Sequence, residues 1–229
     1  MTHTSRAALF ALIFPAAVAA QETVELETPA QRFSYTVGLQ VGDNLGNQGL
    51  INLDTDALAQ GIQDQLAGRD PRLTPEEMQE AVVAYQQVLL EERIALAKRN
   101  DDAAKTFLEE NKAREGVIVL ESGVQYKIVT AGSGVSPAET DTVLVHYRGY
   151  LIDGTEFDSS FSRGEPTELE ITKVIAGWQQ TLQLMKVGSR WKVWIPAELA
   201  YGLRGAGTKI GPNEMLSFDI ELIGIKEDG

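Results

Sequence analysis

The fold is decided by the stretch RWKVWI at residues 190–195, whose side chains alternate strictly in character along the chain. The stretch LSFDIEL at residues 216–222 has the same two-residue period. Successive side chains of a β-strand point to opposite faces of its sheet, so this period predicts two strands. Residues 124–129 and 142–147 are rich in β-branched and aromatic side chains and predict two more.

A turn and a helix complete this C-terminal region. Asp153-Gly154 predicts a two-residue hairpin turn. Residues 177–185 have a helical pattern, with Trp178, Leu182 and Met185 on one face. An antiparallel sheet covered by one short helix is an α+β domain, which is the fold class we expect for this region.

The N-terminal region, residues 22–68, predicts two short helices. Apolar side chains recur every four residues from Phe33 to Leu45, and Asp54 is a suitable N-cap for a second helix that ends at Gly68. Each apolar stripe is narrow, so two such helices bury little surface by themselves. They need a partner to pack against.

A long helix is predicted over residues 74–115. Thr74 is its N-cap, Pro75 its first residue and Glu77 the acidic partner of a capping box. Its first half carries an apolar stripe between Met78 and Leu89, whereas the sequence beyond Lys98 is polar on all sides. We therefore expect the first half to pack and the second half to form a solvated stalk.

Two interpretations of the apolar stripe are open at this point. It is either one face of an ordinary monomeric bundle or the contact surface of a dimer, because a small helical unit lacks a core of its own.

Composition excludes several classes of function. The formal net charge of -13 argues against binding to nucleic acid or to anionic lipid. There is no cysteine, so the chain has no disulfide and no cysteine-based zinc site. Residues 1–20 have a basic residue, a short apolar run and small residues at the end, which predicts a signal peptide cleaved near Ala19 or Ala20.

Reactive groups are scarce. Ser159 and Ser160 follow Asp158, but there is no Gly-x-Ser-x-Gly motif, and His146 lies within a predicted strand. A histidine there is far more often a packed residue than a base. The glycine-rich segment 202–209 lacks the Gly-Lys-Ser/Thr order of a phosphate loop, and the acidic residues lack metal-loop spacing. We expect no cofactor and no metal.

Large apolar side chains instead gather where turns and loops converge, and five motifs carry them. The motifs are His146-Tyr147, residues 153–160 (DGTEFDSS), residues 174–178 (VIAGW), residues 200–202 (AYG) and residues 218–222 (FDIEL). In this order and spacing the chain resembles the FKBP-type peptidyl-prolyl cis-trans isomerases. Residues 35–38, 47–49, 107–111, 122–126 and 210–214 resemble the macrophage infectivity potentiator branch of that family.

The resemblance implies an FKBP-like antiparallel sheet wrapped on one short helix, and a catalytic pocket. Its catalytic residues are Tyr147, Phe157, Asp158, Val174, Ile175, Trp178, Tyr201 and Phe218, with Arg163 and Ile210 binding substrate. Trp178 is the expected floor, the Ile175 N–H and the Tyr201 hydroxyl are the expected donors to substrate carbonyls, and Arg163 the expected partner of Asp158. The chain departs from the small family members at Thr167, Ala206 and Lys209, all expected at the rim.

The resemblance also implies an activity and an organisation. We expect rotation of Xaa-Pro bonds during the folding of exported proteins, with macrolides as inhibitors; the alternative is a holdase-type chaperone or interaction module independent of isomerase activity. The expected regions are a signal peptide (1–20), a helical dimerisation region (21–73), a connecting helix (74–115) and the isomerase domain (116–229). The branch favours a homodimer in the periplasm, in association with the outer membrane or secreted.

Overall fold

The computed structural model describes residues 25–50 and 52–226. The predicted signal peptide lies outside the described residues. The described residues divide into two compact units, one up to residue 48 and the other from residue 49 onward. The helices are α1 (Pro29–Asn47), α2 (Thr55–Leu66), α3 (Pro75–Asn111), α4 (Ser160–Arg163) and α5 (Ala176–Leu182).

The first unit contributes α1, which begins with a capping box that the sequence analysis missed. Thr28 accepts a hydrogen bond from the Gln31 N–H at 3.2 Å, and the Gln31 side chain accepts one from the Thr28 N–H at 2.8 Å. No residue of this helix is buried within the described chain, and Phe33 is 70% exposed.

In the second unit the predicted helix starts are confirmed. Asp54 caps α2 by accepting hydrogen bonds from the N–H groups of Asp56 and Ala57, at 3.0 and 2.9 Å. Thr74 and Glu77 form the capping box of α3. The helix ends at Asn111, four residues before the predicted end.

The C-terminal part is a seven-stranded antiparallel sheet, and the predicted α+β fold is confirmed. Its strands are β1 (Val117–Val119), β2 (Gln125–Thr130), β3 (Thr142–Tyr150), β4 (Glu156–Ser159), β5 (Thr167–Glu170), β6 (Arg190–Ile195) and β7 (Leu216–Ile225). Their order is β1-β2-β6-β7-β3-β4, and β5 pairs with the first half of β3. The two alternating stretches that decide the fold are β6 and β7, which lie side by side with Trp191 opposite Ile220 and Val193 opposite Phe218.

The hairpin between β3 and β4 has one loop residue more than predicted. The Gly154 N–H donates to the Leu151 carbonyl at 3.0 Å, and the Leu151 N–H donates to the Thr155 carbonyl at 2.9 Å. The loop is therefore Ile152 to Gly154, and Gly154 has a φ of +88°. A three-residue loop closed by a left-handed glycine is the next most common hairpin connection after the two-residue turn.

The main core lies between one face of the sheet and α5. Trp178, Leu182 and Met185 are buried there, as their spacing predicted, against strand residues that include Val145, Ile195 and Leu222. The approach is close: a Cβ on Gly177 would lie 2.4 Å from Ile195 Cγ2. Only glycine lets the helix rest this near β6, and this contact places Trp178 over the sheet.

The second half of α3 packs on part of the opposite face of the sheet, which corrects the expectation of a solvated stalk. Ala97, Ala104 and Asn111 are buried, and Phe107 lies 6.5 Å from Trp194 between ring centroids. The first half of the helix, expected to pack, instead exposes Met78, Val82 and Val88 to more than a third of their area, while Tyr85 and Leu89 are partly buried. Small side chains made the packed half look polar, because alanine contributes little to an apolar stripe although it permits close contact.

Candidate active site

A cavity of about 250 Å³ opens between β3, β4, α5 and the loop that follows β6. Ten residues line it: Tyr147, Phe157, Asp158, Leu169, Lys173, Val174, Ile175, Trp178, Tyr201 and Phe218. All eight residues expected to be catalytic are among them. Ile210 is not a lining residue; it is buried beside the cavity in the main core.

Trp178 forms the floor of the cavity, and aromatic rings hold it from two sides. Tyr147 and Phe218 meet it edge to face, with ring centroids 5.3 and 5.2 Å away and interplanar angles of 88° and 87°. Phe157 meets Phe218 in the same way at 5.7 Å. Edge-to-face pairs fix ring orientation beyond what area burial alone provides, so the floor and walls are rigid.

Gly149 on β3 makes room for this arrangement. A Cβ there would lie 2.6 Å from the Phe157 ring and 2.9 Å from the Phe218 ring. Its register opposite Phe218 and Asp158 places the glycine under both walls of the cavity.

The polar group of the cavity is a closed triad at its edge. Asp158 accepts hydrogen bonds from the Tyr147 hydroxyl at 2.5 Å and from Arg163 Nη1 at 2.7 Å, while Arg163 Nη2 donates to the Tyr147 hydroxyl at 2.9 Å. Thr167 joins by accepting from the same Nη2 at 3.1 Å. The expected pairing of Arg163 with Asp158 is present, and the second partner of the Asp158 carboxylate is the Tyr147 hydroxyl.

The charges of this triad are stable at neutral pH. Burial raises the pKa of the Asp158 carboxyl, but the hydrogen bonds from Tyr147 and Arg163 outweigh burial and hold that pKa below its ordinary value. Burial and the hydrogen bond to Asp158 raise the pKa of the Tyr147 hydroxyl. Neither group exchanges a proton near pH 7, so the triad is unsuited to general acid–base catalysis.

Besides the buried Trp178 Nε1–H, two donors at the cavity have no partner among the described residues. The Ile175 N–H lies at the N-cap of α5 and forms no hydrogen bond within residues 25–50 and 52–226. Tyr201 is 41% exposed, and its hydroxyl likewise has no partner in the described part of the chain. Both can therefore donate to a bound carbonyl.

The hydrolase alternative fails on geometry. His146 Nδ1 and Ser160 Oγ are 2.9 Å apart, which looks like half of a catalytic triad. Ser160 is fully buried, however, and its hydroxyl is engaged by the Tyr147 backbone, accepting from the N–H at 2.8 Å and donating to the carbonyl at 3.2 Å. The His146 ring stacks on Phe161. This serine supports the β3–β4 edge and is inaccessible to a substrate.

Two lining residues were missed by the sequence analysis. Leu169 lies in the alternating stretch TELE at residues 167–170, which forms β5. A strand of only four residues gives a weak periodic signal, so the stretch was not recognised as a strand. Lys173 lies at the edge of the cavity and pairs with Glu170 at 2.8 Å. No pattern in the sequence singles it out. Among the described residues there is no cluster of side chains that could hold a metal ion.

The antiparallel sheet packs on one short helix and carries an aromatic cavity that contains no reactive group. This arrangement is that of a proline isomerase of the FKBP class. The family model described as FKBP-type peptidyl-prolyl cis-trans isomerase matches residues 134–223. The model of the domain amino-terminal to such isomerases matches residues 30–128. The chain belongs to the FKBP family and is a peptidyl-prolyl cis-trans isomerase.

Its relatives match over nearly the whole chain. It is 44% identical over 225 residues to the outer membrane protein MIP of Legionella longbeachae, with 96% of each chain covered. It is 44% identical to the FKBP-type 22 kDa peptidyl-prolyl cis-trans isomerase of Escherichia coli K12, covering 89% of this chain and 98% of the relative. The crystal structure of FkpA from Escherichia coli superposes with a TM-score of 0.63 at 35% identity, covering 88% of this chain and 99% of that one.

Proposed function

We propose that the cavity over Trp178 binds the proline ring of an Xaa-Pro substrate and lowers the barrier to rotation by desolvation. The observation that carries this proposal is the Trp178 floor, which is only 4% exposed and held edge to face by Tyr147 and Phe218. A flat aromatic floor with apolar walls fits a five-membered ring that has no hydrogen-bond donor.

The mechanism needs no reactive side chain. The barrier of about 18–20 kcal/mol comes from the partial double bond between carbon and nitrogen, which also places negative charge on the carbonyl oxygen. Water stabilises that charge separation, and twisting the bond removes it. Transfer into an apolar cavity therefore raises the planar states more than the twisted transition state.

Two hydrogen bonds would hold the substrate while its bond turns. The Ile175 N–H and the Tyr201 hydroxyl, both without partners among the described residues, would donate to substrate carbonyls on either side of the proline. Arg163 and Asp158 would act by fixing the Tyr147 hydroxyl, and Val174, Phe157, Phe218 and Ile210 by shaping the walls. Binding lowers the entropy of the substrate, and these contacts together with burial of its ring offset that cost.

A protease-coupled assay on a short Xaa-Pro peptide tests these roles with two matched variants. Trp178→Phe and Trp194→Phe make the same chemical change on opposite faces of one sheet, since Trp194 packs with Met215 on the α3 side. We expect Trp178→Phe to lower kcat/KM about tenfold, equivalent to about 1.4 kcal/mol, and Trp194→Phe to leave it within twofold. Equal effects from both variants would refute the role of the floor.

We further propose that the chain is a homodimer through its N-terminal helices. The support is the exposed apolar surface of α1, α2 and the first half of α3, where Phe33, Leu66 and Ile94 are 70%, 84% and 61% exposed. Sedimentation of the mature chain with and without residues 21–73 tests this, because the intact chain should have twice the mass of one chain and the truncated chain the mass of a single shortened chain. An intact chain that sediments as a monomer contradicts the proposal.

Location and ligands complete the proposal. The apolar start of the sequence and the relative named as an outer membrane protein support export to the periplasm. None of the helices in residues 25–50 and 52–226 is long and apolar enough to cross a membrane. The intact cavity supports proline-containing peptides as substrates and macrolides as competing ligands. Fractionation of cells, and displacement of a macrolide by an Xaa-Pro peptide, would check the two points.

A further inference from the structure

The loop of residues 201–214, here called the rim loop, carries Tyr201 at the cavity and Ile210 beside it. Its own hydrogen bonds give it a compact shape. The Ala206 and Ile210 backbones exchange two bonds of 2.9 and 3.1 Å, and the Asn213 N–H donates to the Gly202 carbonyl at 2.9 Å. The loop therefore moves as one piece, and its anchors decide where the Tyr201 hydroxyl lies.

The first anchor comes from α3, more than a hundred residues away in sequence. Arg93 Nη2 donates to the carbonyls of Leu203 and Arg204 at 2.9 and 3.0 Å. These carbonyls end a short 3-10 turn, Gly202–Arg204, where the last carbonyls lack helical partners. A cation at the end of a helical turn satisfies them and interacts favourably with their dipoles.

A second anchor from the same helix holds the far end of the rim loop. Asn100 Nδ2 donates to the Pro212 carbonyl at 2.8 Å and to Glu214 Oε1 at 3.1 Å. Asn100 follows Arg93 by seven residues, which is about two helical turns, so both side chains leave α3 on the same face. The helix thus contacts both ends of the loop.

On its other side the rim loop is tied to the cavity wall. Lys209 Nζ donates to the Phe157 carbonyl at 2.9 Å, next to Asp158 on β4. A displacement of the loop away from α3 would therefore be transmitted to Tyr201 and to the Phe157 wall together.

The alternative explanation is that the hydrogen bonds of Arg93 to the rim loop only stabilise the fold. The exposure of Arg93 distinguishes this explanation from a role in positioning Tyr201. Arg93 is exposed, and hydrogen bonds at exposed positions contribute little to global stability. Catalysis is far more sensitive to position, since a shift of about 1 Å in a positioning group can cost orders of magnitude in rate. The anchor is thus expected to influence the reaction more than the free energy of unfolding.

We propose that Arg93 and Asn100 are positioning residues of the isomerase: they hold the rim loop so that the Tyr201 hydroxyl is aimed at the substrate carbonyl. This inference rests on the donor role proposed above for Tyr201. It makes α3 from about Arg93 onward part of the catalytic unit, whereas the sequence placed the start of that unit at residue 116.

The test uses the full mature chain, five single variants and one double variant, with Asn100→Ala as the fifth single variant. Arg93→Ala removes the anchor, Arg93→Lys keeps an ammonium that can donate to both carbonyls, and Arg99→Ala is the control. Arg99 is exposed on the same helix, but six residues from Arg93 and therefore on another side. Tyr201→Phe is made alone and combined with Arg93→Ala. The measurements are kcat and KM on an Xaa-Pro peptide, amide hydrogen exchange of residues 202–214, and the urea midpoint.

We expect Arg93→Ala to speed exchange of the Ile210 and Asn213 amides and to lower kcat/KM about fivefold, equivalent to about 1 kcal/mol. The urea midpoint should stay unchanged. Arg93→Lys should recover most of the activity, and Arg99→Ala should behave as the unaltered chain. Asn100→Ala should act in the same direction but less, because it holds the end of the loop beyond Ile210.

The double variant decides whether Arg93 acts through Tyr201. If it does, Arg93→Ala should have almost no further effect in the Tyr201→Phe background, whereas independent effects add. Unchanged amide exchange, unchanged kcat/KM or full additivity would each overturn the inference. If Tyr201→Phe alone is fully active, the fault lies instead in the donor role assigned to Tyr201 under the proposed function, and the inference falls with it.

Discussion

The sheet domain buries its large apolar side chains, whereas the N-terminal helices expose side chains of the same kind. In the domain, Val143, Ile195 and Leu222 are fully buried against residues of the same chain. In the helices, Phe33 and Leu66 are 70% and 84% exposed although they lie on regular apolar stripes. The domain closes its core within one chain, whereas the helices present apolar surface outward. Hydrophobic periodicity therefore predicts an element and its apolar face, but not what covers that face.

The same contrast runs through α3. Its first half exposes Met78, Val82 and Val88, which lie on the clearest apolar stripe, while its second half buries Ala97, Ala104 and Asn111. Asn111 Nδ2 donates to Gln125 Oε1 at 2.9 Å, and Gln125 Nε2 donates to the Leu108 carbonyl at 2.8 Å. A buried polar pair of this kind joins helix to sheet where an apolar pattern gives no signal.

The largest difference between the regions should appear on truncation of one large side chain in each. Trp178→Ala should lower the free energy of unfolding by about 3–5 kcal/mol, because the ring is 4% exposed and the cavity left behind cannot collapse. Leu66→Ala, at an 84% exposed position, should leave the unfolding of the domain unchanged. Urea denaturation followed by tryptophan fluorescence measures both. If Leu66→Ala lowered the free energy of unfolding of the domain, the predicted difference between the two regions would be wrong.

A charge placed on the exposed stripe should separate the proposed dimer. Val82→Glu introduces a carboxylate where an apolar partner is expected, so the dissociation constant should rise by at least about tenfold, or 1.4 kcal/mol. Gln87→Glu is the control, since it adds the same charge at an exposed polar position five residues from Val82, on another side of the same helix. Sedimentation equilibrium gives the mass. Isomerase activity on a short peptide should stay unchanged in both variants, and a mass unaffected by Val82→Glu would contradict the proposed interface.

Acid should weaken both regions through one carboxylate in each. The Arg69 hydrogen bond lowers the pKa of Asp64 in α2, although burial opposes it, and the bonds from Tyr147 and Arg163 lower that of Asp158 despite its burial. A lowered folded-state pKa adds stability above the ordinary value of 3.8, and this stability is lost as the pH falls through the folded-state pKa.

Asparagine variants distinguish the two carboxylates. Asp64→Asn and Asp158→Asn should each flatten the dependence of the urea midpoint on pH below about 4, since the titrating group is gone. At pH 7 only Asp158→Asn should lower kcat/KM, because it alone touches the hydroxyl of Tyr147. An activity loss in Asp64→Asn would show that the helical region influences the cavity.

The smallest effect should come from glycines inside the helices. Gly38 in α1 has no described atom within 4 Å of an added Cβ, so Gly38→Ala should raise the stability of the helix by about 0.5–1 kcal/mol. Gly177→Ala in α5 is the matched change in the domain and should destabilise, because its Cβ would meet Ile195. Circular dichroism on heating measures both. Loss of the proposed dimer in Gly38→Ala would reveal that a second chain packs against that glycine.

Much of the candidate site follows from the sequence, though by resemblance more than by pattern. The five motifs contain the eight residues that the structure brings into one cavity, and the resemblance also identified Arg163, which lies beside Asp158. Leu169 and Lys173 were missed because a short edge strand and a lone lysine leave no periodic signal. The placement of Ile210 behind the wall depends on the path of the rim loop, which no local pattern describes. The link of Asp158 to Tyr147 depends on the register of β4 against β3.

The sequence by itself determined the strands β6 and β7, the starts of α2 and α3, and the apolar face of α5. These features depend on neighbours within a few residues: side-chain alternation, a capping hydroxyl or carboxylate, a helical repeat. Only the tertiary structure decided which half of α3 packs, and that Arg93 and Asn100 reach the rim loop. Those contacts join residues more than a hundred positions apart, and their polar and small side chains gain stability only once the sheet has placed their partners.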